Sequence, residues 1–228
     1  MDMTGEKGLL HCYLLDGKGC GTSLDWTAAS AWKPEDGVLW MHLEYSDASV
    51  QKWMLEESGL STVSAEAMLS EETRPRSVLT ANGLLLTLRG INPHPDASPE
   101  DMVALRLWSD GRRILTTRRR RLQSAREIAE ALNEGVGPRD AGEFIESITD
   151  RIVARMAEVI DAINEDVDSL EEEVLTREAY ELRPKLSELR RTTIGLRRYL
   201  APQREAVMRL YAERIEWLSD TDRSRLRE

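Results

Sequence analysis

The chain is 228 residues long, 41% hydrophobic, and carries a formal net charge of −10. That length and apolar content support a core in one large domain or two small ones and exclude a disordered tail. The longest apolar runs, at 37–43 and 83–88, fall far short of the roughly 20 residues that cross a bilayer, so no stretch of this sequence is expected to span a membrane.

The first residues, MDMTGEKGLL, lack a basic region followed by a sustained apolar segment, and no signal peptide is expected. Residues 8–15 and 37–45 read as strands, while 48–57 and 63–72 carry helical spacing. Two hairpins follow. Strands at 76–80 and 84–89 join through Ala81-Asn82-Gly83, and strands at 102–108 and 113–117 join through Ser109-Asp110-Gly111, where glycine supplies the positive φ of a tight turn. Between the hairpins, NPHPDASP at 92–99 holds three prolines and reads as a loop. Ser124 is expected to cap a helix running to Asn133, and 135–138 breaks the chain before a second, all-helical half.

From Ala141 the apolar residues Ile145, Ile148, Ile152, Met156, Val159, Ile163, Val167, Leu170 and Val174 recur with an eleven-residue period. That period gives about 3.67 residues per turn and predicts a nearly straight helix over 141–178, about 57 Å long. Residues 141–182 hold thirteen acids and three bases; residues 183–214 hold nine bases and three acids. The second helix carries a seam of Leu182, Leu186, Leu189, Thr193, Leu196 and Leu200, flanked by Arg183, Arg190, Arg197 and Arg204 at every seventh position. Those arginines are expected to face the acidic helix and to set register more than stability, because exposed ion pairs contribute only about 0–1 kcal/mol. Pro202 is expected to kink this helix, and Gly195 to permit close packing.

Five acids of the first long helix, Glu158, Asp161, Glu165, Asp168 and Glu172, fall in one stripe at about 100° per residue, opposite Val159, Ile163, Val167 and Leu170. They are expected to face outward, either as a solvated face or as a diffuse source of cation attraction.

Other motifs have weaker claims. His11, Cys12 and Cys20 are soft metal ligands without a CxxC pair or a fourth partner, and adjacent His11 and Cys12 point to opposite faces of a strand, which makes Cys12 a core residue. Two cysteines in all suit a reducing compartment. DGKGCGTS at 16–23 has its lysine on the wrong side of the glycines for a phosphate loop and reads as a turn. His42 and His94 have no nucleophile beside them, so no catalytic residues and no enzyme are expected. Arg118, Arg119, Arg120 and Arg121 form a basic run, but the low isoelectric point and the strand-to-helix position favour a solvated or subunit-facing cluster over a nucleic-acid partner.

The segments RRYLAPQREAVMRLYAERIEWLSDTDRSRLRE (197–228), GVLWMHLEYSD (37–47), EETRPR (71–76), LLLTLRGIN (84–92) and VALRLW (103–108) together resemble the amino-terminal cytoplasmic part of the zinc-transporting ZntB branch of the CorA superfamily. The resemblance implies an α+β fold: an α/β/α domain with a mixed sheet at 1–140, then long antiparallel helices at 141–228 that lead into a stalk helix. It implies a homopentamer forming a funnel over a pore, with zinc or another divalent cation as transported substrate and no cofactor. It places the full-length protein in the inner membrane through two later helices and a Gly-x-Asn signature, with this part on the cytoplasmic side. Neither helix nor signature occurs in these 228 residues, so no pore residue is assigned. The ending RSRLRE has no helix stop and reads as the opening of a helix that continues. The competing reading is a free-standing helical scaffold that binds a protein partner through its acidic helix.

Overall fold

A computed structural model of the chain describes residues 8–71 and 74–227. The first strand, β1 (Leu9–Leu15), turns back into a three-residue strand, β2 (Gly21–Ser23). Asp16 closes that turn: its carboxylate accepts the backbone N–H of Lys18 at 2.7 Å and of Cys20 at 3.0 Å. The expected turn is present, and its last residues add a strand that composition alone did not signal. A short helix, α1 (Trp26–Ala31), follows, capped by Asp25, and precedes β3 (Val38–Glu44). Helices α2 (Ala48–Glu56) and α3 (Thr62–Leu69) begin at Asp47 and Ser61, whose side chains accept N–H groups left unpaired in the first turn. Helix α3 ends at Leu69, where Ser70 turns extended, short of the expected residue 72, and Glu72 itself lies outside the described residues.

Both expected hairpins form, as β4 (Arg76–Thr80) with β5 (Gly83–Gly90) and β6 (Val103–Ser109) with β7 (Arg113–Arg118). The strands make one mixed seven-stranded sheet in the order β2-β1-β3-β7-β6-β5-β4, with β3 and β7 parallel and every other neighbour pair antiparallel. Helix α4 (Gln123–Glu134) starts after Leu122, so Ser124 lies inside the helix, buried, and does not cap it. Gly135, at φ 79°, ends α4 in the left-handed conformation that glycine adopts without steric cost.

The two long helices are α5 (Ala141–Val174) and α6 (Ala179–Ala212), each 34 residues and therefore about 51 Å long. The first ends four residues earlier than expected, in a turn at 175–178. Glu173 meets Lys185 and Met156 meets Gln203, so the pair runs antiparallel. Helix α6 continues through Pro184 and Pro202, and a short helix, α7 (Asp220–Arg225), closes the described chain.

Strand alternation sends apolar side chains to both faces of the sheet. On one face Trp40, Leu86, Leu88 and Leu105 pack with Ile128, Phe144, Ile148, Leu196 and Leu210 of α4, α5 and α6. On the other, Leu39, Met41 and Leu115 pack with Val50, Met54 and Met68 of α2 and α3. The result is the expected α+β arrangement, an α/β/α sandwich carrying two long helices. The first turns of α5 share the sheet's core, whereas Val159, Ile163 and Val167 further along are only half-buried and Val174 is exposed.

Candidate functional site

The far half of α5 carries the outward stripe. Glu158, Asp161, Glu165, Asp168 and Glu172 are all exposed, while Leu170 on the opposite side is buried. A further acid, Glu173, pairs toward α6: it lies between Lys185, at 2.9 Å, and Arg177, at 3.5 Å. Lys185 holds the Glu173 carboxyl below its ordinary value, and Arg177 adds to the shift. Among the described residues no group of three or more His, Cys, Asp and Glu side chains is disposed to hold a metal ion.

Among the described residues the arginine ridge of α6 makes no ion pair with the acidic helix, although Arg204 lines a groove shared with α5. Arg183, Arg190, Arg197 and Arg204 are exposed, and among the described residues none of them reaches a carboxylate within ion-pair distance. The physical reason is that α6 packs on two partners. It touches α5 and also β4 and β5, which rotates its buried arc to Leu182, Thr192, Leu196, Gln203, Ala206 and Leu210. Leu186, expected in the seam, is 54% exposed.

Glu100 explains part of that rotation. It leaves the proline loop to accept Arg191 Nε at 3.2 Å and Thr192 Oγ1 at 3.3 Å. A Cβ placed at Gly195 would lie 2.5 Å from Glu100 Cβ, so the expected close approach at Gly195 is real, and its partner is this loop. Gln203 is the second tie, accepting the backbone N–H of Arg89 at 2.6 Å.

The basic run at 118–121 sits at the junction of β7 and α4, as expected. Arg119 pairs with Glu71 at 3.6 Å, and Arg120 holds both carboxylate oxygens of Asp101 at 2.8 Å. Next to this junction stand Arg89 and Arg106, which sequence reasoning did not single out. The available signal was an arginine inside an apolar strand, in LLLTLRG and VALRLW.

The remaining candidates are structural. Cys12 is 3% exposed within the second core, its thiol pushed up to about 12 by burial and then by Asp25, while Cys20 is exposed. His11 stacks on His42 at 5.8 Å and on Trp40 at 5.9 Å, and does not meet either thiol at a metal. His42 is fully buried, with Nδ1 2.9 Å from Thr116 Oγ1. His94 is exposed in the proline loop, 3.9 Å from Asp96. Among the described residues no helix is long and apolar enough to cross a membrane.

The sequence profile of the family described as "CorA-like Mg2+ transporter protein" matches residues 35–228. A curated relative, the divalent cation transporter CmaX of Pseudomonas aeruginosa, is 37% identical over 227 residues, covering 95% of this chain and 66% of that protein. The zinc transport protein ZntB of Yersinia enterocolitica is 33% identical over 234 residues, covering 100% of this chain and 70% of that protein. The chain thus spans only 66% and 70% of the lengths of these two relatives. Among solved structures, the ZntB cytoplasmic domain from Vibrio parahaemolyticus superposes with a TM-score of 0.82 over 97% of this chain and 89% of that one, at 21% identity, which is a likeness of fold.

Proposed function

The chain belongs to the CorA-like transporter family, and on that premise we propose that it is the cytoplasmic funnel part of a divalent-cation transporter, with zinc among its cargoes. In this reading residues 1–140 form the scaffold, residues 141–228 carry the wall of the funnel, and the assembled protein is a pentamer in the inner membrane. The observation that carries it is the exposed stripe Glu158, Asp161, Glu165, Asp168 and Glu172 on α5. Five carboxylates along one helix face that meet no cation among the described residues, repeated around a ring, sum to a negative potential that raises the local concentration of divalent cations. Such attraction is weak, non-coordinating and sensitive to salt, which suits a conduit that must release its ions.

The test uses a full-length protein in proteoliposomes. Changing Asp161, Glu165, Asp168 and Glu172 together to their amides leaves folding intact and lowers zinc influx at low ionic strength. The difference shrinks as salt brings the Debye length down to about 8 Å. Flux that is the same for both proteins at every ionic strength refutes the attraction, and a full-length protein that moves no divalent cation refutes the transporter reading.

A further inference from the structure

The turn end of the hairpin formed by α5 and α6 leaves opposite charges and exposed leucines at matching heights. In an antiparallel pair, each residue gained along one helix is a residue lost along the other. Glu173 meets Lys185, so Asp168, five residues earlier on α5, stands level with Arg190, five residues later on α6. By the same count Leu175 stands level with Arg183, and Leu186 lies within about 5 Å of that height. The contact of Met156 with Gln203 gives the same levels to within one residue.

Asp168 and Leu175 are two helical turns apart and share one face of α5, since Leu175 keeps helical angles at φ −77° and ψ −19°. Arg183, Leu186 and Arg190 follow the i, i+3, i+7 spacing of one face of α6. Asp168 lies across α5 from the buried Leu170, so it turns away from its own Arg190. Asp168, Arg183 and Arg190 are all exposed, and among the described residues none of them meets an opposite charge. Beside them Leu175 is 85% exposed and Leu186 54%. One copy thus carries two complementary halves of a contact that it cannot close on itself.

We propose that this end of the hairpin is a contact between copies of the chain, in which the Asp168–Leu175 face of α5 packs against the Arg183–Leu186–Arg190 face of α6 on the next copy. Rotation about an axis parallel to the hairpin moves a copy sideways and leaves every height unchanged. Asp168 therefore meets the neighbouring Arg190, and Leu175 the neighbouring Leu186, with no shift along the helices. Unlike faces meet, which is the head-to-tail contact that closes a ring. Covering the leucines supplies the stability, and the charges select the register, because a shifted register leaves them unmatched. The contact rests on the ring of the proposed transporter and leaves Glu158, Asp161 and Glu165 of the acidic stripe outside it.

The test takes the full-length protein in two co-expressed forms, one with Leu175→Cys and one with Leu186→Cys, each with Cys20→Ser to remove the exposed native thiol. Oxidation with copper phenanthroline links the two forms into a disulfide-bonded dimer, whereas neither form alone gives one. Leu175→Cys with Arg204→Cys gives no dimer, because Arg204 lies about 30 Å further along α6, beyond the reach of a disulfide. Arg190→Asp in both forms lowers the yield of the Leu175–Leu186 link about threefold or more, and adding Asp168→Arg restores it. The contact is overturned if the mixture gives no dimer, if either form links to itself, if Arg204→Cys links equally well, or if the charge swap restores nothing. Zinc flux is read separately. A ring that links without moving any cation fails the transporter reading alone, and one that transports without linking fails this contact alone.

Discussion

Gln203 Oε1 on α6 accepts the backbone N–H of Arg89 at 2.6 Å, across 114 residues of sequence. Strand β4 pairs with β5 only as far as Arg76 opposite Thr87, so among the described residues no strand continues along that edge to Arg89. The Gln203 side chain takes the place of that missing neighbour. Its amide nitrogen rests 3.3 Å from Met156 Sδ on α5, so one side chain joins the sheet to both long helices.

Gln203→Leu keeps the volume and removes the acceptor. The orphaned Arg89 amide then costs about 1–3 kcal/mol, read as a lower urea midpoint with an unchanged slope. Faster hydrogen exchange at the Arg89 amide identifies the cause. A variant that matches the parent in both measurements shows that water replaces the amide without loss.

Charge reversal on α6 distinguishes the ridge from the seam. Lys185→Glu places a like charge beside Glu173, which Lys185 Nζ meets at 2.9 Å, and lowers stability by about 0.5–1 kcal/mol at low salt, with partial recovery as salt is added. Arg190→Glu and Arg190→Ala differ by less than that, because Arg190 meets no carboxylate among the described residues. Thermal melts at two salt concentrations decide between this geometry and a ridge aimed at α5.

Burial holds the His42 imidazole well below its ordinary value of 6.5, and Arg118 and His11 push in the same direction. The unfolded chain therefore takes up a proton near pH 6.5 that the folded chain refuses. Linkage makes stability fall as pH drops below about 6.5, down to the lowered native value. In urea titrations between pH 7.5 and 5.5, His42→Gln flattens this slope. An identical slope in the variant assigns the dependence to other groups.

Gly195→Ala places a methyl group 2.5 Å from Glu100 Cβ, and the clash is with the root of a side chain, which cannot swing away. The proline loop lifts from α6 and the contacts of Glu100 with Arg191 and Thr192 break, costing about 1–3 kcal/mol against the small helix-propensity gain of alanine. Limited proteolysis within 92–101 accelerates in the variant. Unchanged cleavage and unchanged stability together show that the loop does not depend on this approach.

Local chemistry alone determined much of this protein. Asn82-Gly83 and Asp110-Gly111 set two hairpins, residues 8–15 and 37–45 read as the strands that became β1 and β3, and the eleven-residue period placed Glu158 to Glu172 on the solvent side of α5. Each of these depends on residues within a few positions of one another, where backbone geometry fixes direction. Only the tertiary structure decided where the arginines of α6 point, because that helix meets both α5 and the sheet edge, and a periodicity specifies a face without naming its partner. The same holds for the arginines beside the junction of β7 and α4. Arg89, Arg106 and Arg119 are separated by 17 and 13 residues in sequence and meet because β5, β6 and β7 lie side by side, with Glu100 and Gln203 fastening α6 over the neighbouring edge. Such convergence follows from strand order and docking, which no local sequence pattern encodes.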